Sequence, residues 1–474
     1  MFRLYDTRTR QAEPVRPASR GLLRMYTCGP TVYRYAHLGN LRAYLMSDLI
    51  RRVAEQRGLT VIVCQNITDA GHLAGDSQID QAGEDKILAQ ARAEGRAEGR
   101  AALEIARYYE EAFAADCRTL NIRPADFAPR ASECIGLMTD MIARLIETGH
   151  AYATGGGNVY FDARSFAGYG DLSGNSLSRL RPGHRSGGET DPRKRFHADW
   201  ALWKGAAEGR ELTWPAPWGT GFPGWHTECS AMSLHFLGEV IDIHTGGIDL
   251  RFPHHEDERA QSDSVTGHEV VRHWVHGEHL LFEGRKMAKS AGNAVLVADL
   301  AARGLDPLAA RLAFLEHHHR QQLNLTWDTL LAADATLRRW RGQVAGWAAS
   351  PSRPMCAEIT GQLAGALDDD LDTRAALLAL RRLEKDAGIP AGSKFETFLH
   401  ADQVLGLDLA ADIGRRAAPP PLPAGAAQKL AERTAAREAQ DWATADRLRS
   451  ELAAVGVIVT DTAGGQAWTV SPVS

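Results

Sequence analysis

Leu41, Leu45, Leu49 and Val53 recur every four residues, with Met46 and Ile50 beside them, and this stripe predicts a helix closed by Gly58. Two short apolar runs flank it. LLRMYTC at 22–28 predicts a strand that delivers Cys28 to a turn at Gly29-Pro30. TVIVCQNI at 60–67 is continuous and rich in β-branched residues, as expected of a strand buried on both faces. Strand, helix, buried strand is a parallel βαβ unit. Ligands in such sheets bind at the carboxyl ends of the strands, which is where Cys28 and residues 66–69 fall.

Residues 81–115 are helical in composition, although AEGRAEGR puts two glycines into that stretch. From about 150 to 222 the character shifts to Gly, Ser, Pro and Trp, with short strand-like pieces such as NVYFDA, which predicts an inserted module. Strand and helix periodicity returns over 225–300, so the sheet is expected to be split by the insertion. Beyond Pro307 long helical patterns dominate. RRAAPPPLPAG at 415–425 reads as a stiff linker, followed by one helix over 426–455 and two strand-like pieces. The expected fold is α/β: a parallel-sheet catalytic domain split by an insertion, then an α-helical bundle and a small C-terminal α+β tail. The expected divisions are 1–125 and 223–310 for the two sheet halves, 126–222 for the insertion, 311–414 for the bundle, 415–425 for the linker and 426–474 for the tail.

The composition narrows the function classes. The 474 residues include 54 Lys+Arg against 59 Asp+Glu, a formal charge of −5, with 44% hydrophobic and 24% charged residues. That balance suits a soluble globular chain of about three domains and disfavours a protein that coats DNA. No window approaches 18 uncharged apolar residues, and the opening MFRLYDTRTRQAE lacks the apolar core of a secretory signal, so a cytoplasmic protein without membrane contact is expected. Six cysteines spread over this length make no disulfide framework. In a reducing compartment a special cysteine is a metal ligand or a nucleophile.

His254 and Glu258 stand four apart, a spacing that lets two side chains on one helix face grip one ion. The same spacing is common in solvated surface pairs, so it does not decide alone. Cys28 and Cys229 are two thiols able to complete a tetrahedron, and two thiolates with one imidazole and one carboxylate suit zinc. Cys64, Cys117, Cys134 and Cys356 read as small buried hydrophobes. His37-Leu38-Gly39-Asn40 opens the Leu41 helix, where backbone N–H groups attract phosphate and Gly39 lets a nucleotide lie on the backbone. Lys286 and Lys289, in a loop flanked by Gly284 and Gly292, read as a solvated surface pair or, together with a phosphate site at the Leu41 helix, as charges that stabilise a leaving pyrophosphate. GTGFPG at 219–224 fits a dinucleotide fingerprint but follows a Trp-Pro-Ala-Pro segment that is no buried strand, and no phosphate-loop sequence GxxxxGK[ST] occurs. His317-His318-His319 reads as a polar surface.

In order and spacing, CGPTVY at 28–33, HLGN at 37–40, WHTECSAM at 225–232, FPHHEDE at 252–258 and KMAKS at 286–290 resemble cysteinyl-tRNA synthetases, a family of class I aminoacyl-tRNA synthetases. The tail patterns DWATADRLR at 441–449 and DTAGGQAW at 461–468 resemble that family's C-terminal domain. The resemblance implies a Rossmann-like sheet that activates L-cysteine with Mg2+-ATP, releases pyrophosphate and passes the acyl group to the terminal ribose of tRNA(Cys). It implies that His37, Gly39, Asn40, Asp249, Lys286 and Lys289 bind ATP, with His37, Asn40 and both lysines acting in catalysis. One Zn2+ per chain would be held by Cys28, Cys229, His254 and Glu258 and would take the substrate sulfur as a further ligand. Thr31, Thr68 and Trp225 match positions around the amino acid. Asn40 stands where many class I enzymes carry histidine, and Ala288 replaces a common serine. A monomer is expected.

Two rival readings are a cysteine ligase that uses a small amine as acceptor and a non-catalytic tRNA-binding paralogue. The tail disfavours the first, and the retained ligands and lysines disfavour the second. Arg338, Arg339, Arg341, Arg381, Arg382, Arg415 and Arg416 are candidate phosphate contacts. Trp442 and Trp468 read as stacking partners for bases or as packing residues of the tail, with packing the favoured role.

Overall fold

In the computed structural model the chain opens with an antiparallel hairpin, β1 (Arg3–Asp6) and β2 (Gln11–Pro14), and then enters the predicted βαβ unit of β3 (Leu22–Thr27), α1 (Leu38–Gln56) and β4 (Thr60–Gln65). The structure describes residues 2–70, 102–181, 191–206, 210–287, 293–415, 423, 425–462 and 465–470. Leu41, Leu45, Leu49 and Val53 are all buried, each contributing about 2 kcal/mol through removal of apolar surface from water. Gly58, at φ +79°, turns the chain out of the helix in a conformation that only glycine adopts without strain.

After α2 (Ala102–Thr119), which is the described part of the helix expected over 81–115, comes the insertion. It consists of α3 (Ile135–Glu147) and an antiparallel four-stranded sheet, β5 (Ala151–Thr154), β6 (Asn158–Phe161), β7 (Trp200–Gly205) and β8 (Gly221–Pro223). The GTGFPG segment forms β8 at the edge of that sheet, so it opens no nucleotide-binding helix.

The main sheet resumes with α4 (Trp225–Leu237), β9 (Ile241–Gly247), α5 (Glu256–Thr266) and β10 (Val271–Gly277). Its strand order is β10-β9-β3-β4, and every pairing is parallel. The chain leaves β3 toward β4 and returns on the other flank as β9, so the order reverses at β3. Open parallel sheets form their binding crevice at such a reversal, outside the carboxyl ends of the strands.

A three-stranded sheet follows, β11 (Leu280–Phe282), β12 (Arg285–Lys286) and, after α6 (Val297–Ala302) and α7 (Leu308–Leu315), β13 (Leu323–Leu325). Helices α8 (Trp327–Trp347), α9 (Ala357–Asp368), α10 (Thr373–Lys385) and α11 (Ala391–Leu405) form the bundle. One core cluster joins α1 to these helices through residues such as Leu49, Leu312, Leu337 and Leu405. Within it, Asp48 Oδ2 accepts from Arg52 Nε at 2.8 Å and from Arg311 Nη2 at 2.7 Å, all three side chains being buried.

Residues Met1–Ala411 form one compact unit and Asp412–Ser474 another. The second unit corrects the single tail helix expected over 426–455. It holds two helices, α12 (Ala426–Glu438) and α13 (Trp442–Ala454), and an antiparallel pair, β14 (Val457–Thr462) and β15 (Gly465–Val470). Gln440 takes φ +59°, and the Asp441 side chain accepts the Thr444 backbone N–H at 3.1 Å, which starts a new helix. No helix among the described residues is long and apolar enough to cross a membrane.

Candidate active site and metal centre

Cys28 leaves the end of β3 and its backbone N–H donates to Thr245 O on β9 at 3.3 Å, so the thiol sits over the strand-order reversal. The next residue must be glycine, because a Cβ on Gly29 would lie 1.6 Å from the Asn66 carbonyl oxygen. Its N–H donates to Asn66 Oδ1 at 2.7 Å, Asn66 Nδ2 donates to Thr68 Oγ1 at 3.0 Å, and Thr68 Oγ1 donates to Glu228 Oε2 at 2.8 Å. This chain of bonds fixes the turn behind Cys28.

Cys229 comes from the second turn of α4 and Glu258 from the first turn of α5. His254 lies in the irregular turn just before α5, not on one regular helix with Glu258, yet the two meet: His254 Nε2 is 2.8 Å from Glu258 Oε1. Cys28 Sγ is 3.8 Å from Cys229 Sγ and 3.3 Å from Glu258 Oε1, while Cys229 Sγ is 3.5 Å from His254 Nε2. A tetrahedral zinc with ordinary bond lengths has edges of about 3.8 Å between sulfurs, about 3.6 Å from sulfur to nitrogen or oxygen and about 3.4 Å from nitrogen to oxygen. The four buried residues therefore already stand close to the donor spacing of a zinc site.

The electrostatics agree. Burial, with the neighbouring Cys229 and Glu258, pushes the Cys28 thiol well up. Burial also acts to raise Cys229, but hydrogen bonding from Cys28 and the charge of His254 bring it down to about 5. Against its own burial, His254 is raised to about 10 by Glu258 and Cys229. Glu258 is raised to about 7 by burial and by Cys229. A cluster this rich in competing negative donors calls for a cation.

Supporting contacts orient His254. Its Nδ1 is 2.7 Å from His226 Nδ1, His226 Nε2 is 3.3 Å from Asp257 Oδ2, and Tyr169 donates to Asp257 Oδ1 at 2.6 Å. Trp225 stacks on the His254 ring with centroids 4.1 Å apart. Nε2 is thereby turned toward the thiols, the outer-partner arrangement usual for a ligating histidine.

The adjoining cavity of about 380 Å³ is lined by Cys28, Thr31, His37, Gly39, Asn40, Trp225, Asp249 and Lys286, among others. Thr68 is 1% exposed and bridges to Thr31 from behind, so it backs the cavity wall without lining it. Lys289 lies outside the described residues. His37 N-caps α1 in a reciprocal box with Asn40: His37 Nδ1 accepts the Asn40 N–H and Asn40 Oδ1 accepts the His37 N–H. Burial and the nearby Arg34 charge lower His37 to about 4, so the ring is neutral near pH 7. With Nδ1 occupied as an acceptor, Nε2 carries the proton and is the ring's donor.

Sequence reasoning missed several residues of this region. Arg42, on the second turn of α1, lines the cavity and donates to the carbonyls of Glu278, His279, His318 and Gln321. It ties the helix that carries His37 to the segments leading into and out of the Lys286 hairpin. His244 and His255 crowd the metal centre from β9 and from the turn before α5. A histidine within the buried strand IDIHTGG was the available signal.

Other expectations need correction. His319 is buried and His318 half-buried, and both approach Asp370, because α7 ends at Leu315 and the run is not helical. Asp370 is already engaged by Arg320 Nε at 2.6 Å and the Tyr5 N–H at 2.8 Å. Among the arginine candidates, Arg341 is buried against Asp306 and two backbone carbonyls, while Arg339 and Arg381 pair with Glu384 and Glu316. Arg338 pairs with Asp334 and Arg415 with Asp412. Arg416 lies outside the described residues. In the tail unit, Trp468 packs against the small core, but Trp442 is 56% exposed, with Arg437 over its ring at 5.6 Å.

Comparison with known proteins places these features. Residues 14–335 match the family model of the class I (C) tRNA synthetase catalytic domain, and residues 419–468 match that of the cysteinyl-tRNA ligase anticodon binding domain. A Salinibacter ruber protein named cysteine–tRNA ligase is 39% identical over 509 residues, covering 98% of each chain. A Thermus thermophilus protein of the same name is 40% identical over 484 residues, also covering 98% of each. The solved Mycobacterium tuberculosis methionyl-tRNA synthetase bound by methionyl-adenylate superposes with a TM-score of 0.55 at 15% identity, covering 83% of this chain and 90% of that one, a likeness of fold.

Proposed function

Because the chain belongs to the cysteinyl-tRNA synthetase family of class I aminoacyl-tRNA synthetases, with cysteine–tRNA ligase activity, we propose how its own residues divide that work. The substrates are ATP, an amino acid and tRNA, here L-cysteine and tRNA(Cys), with Mg2+ accompanying the ATP. The observation that carries the residue assignment is the close-packed donor set of Cys28, Cys229, His254 and Glu258 at the wall of the cavity.

Those four residues would hold one zinc ion, which when bound supplies a soft centre that prefers the cysteine thiolate to a serine hydroxyl. Trp225 and Thr31 line the cavity beside it and confine the amino acid, while Thr68 braces Thr31 from behind. The neutral His37 donates through Nε2 to a phosphate oxygen, and Gly39 lets the nucleotide approach the start of α1. Asn40 holds His37 in that tautomer and leaves its own amide N–H2 to face phosphate. Asp249 lines the nucleotide end of the cavity.

The cysteine carboxylate attacks the α-phosphorus and the bond to pyrophosphate breaks. Lys286 and Lys289 neutralise the charge that collects on the departing oxygen. A hydroxyl of the tRNA's terminal ribose then attacks the acyl carbon, and AMP leaves. The tail unit reads the anticodon, in keeping with the family model that it matches.

The test is cysteine-dependent exchange of labelled pyrophosphate into ATP with zinc-replete protein and serine as control, followed by acylation of tRNA(Cys). Exchange and acylation with cysteine alone support the assignment. Equal exchange with serine would remove the metal centre from amino-acid selection.

A further inference from the structure

We propose that this chain carries a second soft-metal site, made by His244 and His255 with the far sides of Cys28 and Glu258, which takes a second divalent ion of the zinc class when that ion is in excess. The proposal rests on the assignment of the first ion to Cys28, Cys229, His254 and Glu258.

Glu258 faces two ways. Its Oε1 is 2.8 Å from His254 Nε2, and its Oε2 is 3.1 Å from His244 Nε2. Cys28 also has two neighbourhoods: Cys229 Sγ at 3.8 Å on one side, and His255 Nε2 at 3.2 Å and His244 Nε2 at 3.7 Å on the other. Cys28, His244, His255 and Glu258 are all buried, and their donor atoms lie within 4.8 Å of one another. Tetrahedral edges of about 3.6 Å for sulfur to nitrogen and about 3.4 Å for nitrogen to oxygen compare with 3.2 and 3.7 Å from Cys28 Sγ to the two imidazoles and 3.1 Å from His244 to Glu258. A thiolate and a carboxylate are ligands able to bridge two ions, as in two-metal sites.

Both imidazoles are free to present a lone pair at Nε2. His255 Nδ1 is 2.8 Å from His276 Nε2, and His276 Nδ1 is 2.7 Å from Thr7 Oγ1. The chain ends on a hydroxyl that accepts, so its protons can run outward from His255 and leave Nε2 bare. His244 Nδ1 has no hydrogen-bond partner among the described residues and is buried, so the proton resides there at no cost to any other bond. Tyr26 stacks on the His244 ring at 5.0 Å and Trp274 meets it edge-on at 4.6 Å, so packing alone aims that ring. His255, through His276, has the outer hydrogen-bond partner usual for a ligating histidine.

Charge sets the order of filling. Cys28, Cys229 and Glu258 bring three negative charges, so one divalent ion leaves the cluster at −1 and a second brings it to +1. The second ion therefore binds more weakly than the first.

The test is a Zn2+ titration of metal-free full-length protein, with bound metal read by equilibrium dialysis and elemental analysis. The proposal predicts two equivalents, the second at least about tenfold weaker. His244→Phe with His255→Gln should abolish the second equivalent and keep the first, whereas Cys229→Ala should weaken the first. A wild-type plateau at one equivalent would overturn the proposal whether or not the double variant folds, and so would a double variant that still takes two. Full-affinity first-ion binding in Cys229→Ala would instead overturn the first assignment. Co2+ gives an independent reading: two bridged ions lose spin-resonance intensity per cobalt through coupling, and independent ions do not.

Discussion

His37 and Asn40 close on each other at the start of α1, with His37 Nδ1 accepting the Asn40 N–H at 3.3 Å and Asn40 Oδ1 accepting the His37 N–H at 3.2 Å. The pair fixes which ring nitrogen keeps its proton. The ring is held by the Asn40 backbone N–H, while the Asn40 side chain secures the His37 backbone N–H and so completes the box.

The first prediction concerns pH. The folded pKa of His37 is lowered from 6.5 to about 4, by burial first and Arg34 second. The group is thus neutral above pH 5 and gains its proton only as pH falls through 4. Nitrogen-resolved NMR of the histidine side chains should show the His37 ring neutral, with the proton on Nε2, from pH 8 down to pH 5. A ring that titrates near 6.5 would contradict the effect of burial and Arg34, and a proton on Nδ1 would contradict the capping argument. His37→Ala should slow adenylate formation by about 100-fold, the usual effect of losing one preorganised donor.

Removing a metal donor should act on metal and selectivity together. Cys229→Ala or Glu258→Ala is expected to lower zinc content at a fixed free zinc concentration and to reduce the preference for cysteine over serine in pyrophosphate exchange. Full metal retention with lost selectivity would separate the two.

Gly29→Ala tests the turn behind Cys28. The added Cβ would meet Asn66 O at 1.6 Å, so the backbone that presents Cys28 must move. Misplacement of about 1 Å at a reacting centre costs about 100-fold in rate. Near-normal exchange activity in this variant would show that the turn tolerates displacement.

Asp48→Ala should leave Arg52 and Arg311 buried without their shared carboxylate and lower stability by about 3–5 kcal/mol. Chemical denaturation measures it directly. A loss below about 1 kcal/mol would mean that the backbone carbonyls on the two guanidinium groups suffice.

In the tail unit the two tryptophans should behave oppositely. Trp442→Ala, at an exposed ring, should weaken tRNA affinity by about 5- to 100-fold, the range for one stacked base, without changing the melting temperature. Trp468→Ala should lower the tail's stability through lost packing. Unchanged tRNA affinity in Trp442→Ala would return that residue to solvent.

Local periodicity carried the βαβ unit: the Leu41 stripe and the β-branched run at 60–65 match α1 and β4 because both faces of that sheet are covered and the pattern has no competitor. The metal donors were legible as chemistry, two thiols with a His and a Glu four apart, although the helix that was to present them starts only at Glu256. His244 was legible only as a histidine in a buried strand, and the meeting of His244 and His255 at Cys28 was not legible. Their role depends on which strands are neighbours, and β9 reaches β3 only after an insertion of about a hundred residues. The tail was read as one helix over 426–455, but Gln440 turns the chain at φ +59° and the Asp441 cap starts a second helix. Arg341 shows the opposite failure. Its charge suggested nucleic acid, but it spends its donors on Asp306, Leu407 O and Asp408 O inside the fold.

The most direct test is X-ray absorption at the zinc edge on protein loaded with one equivalent of zinc, with and without cysteine and with serine. The account predicts two sulfur neighbours in the free protein, three with cysteine and two with serine. A sulfur count that cysteine leaves unchanged would contradict selection of the amino acid by the metal held between Cys28 and Cys229.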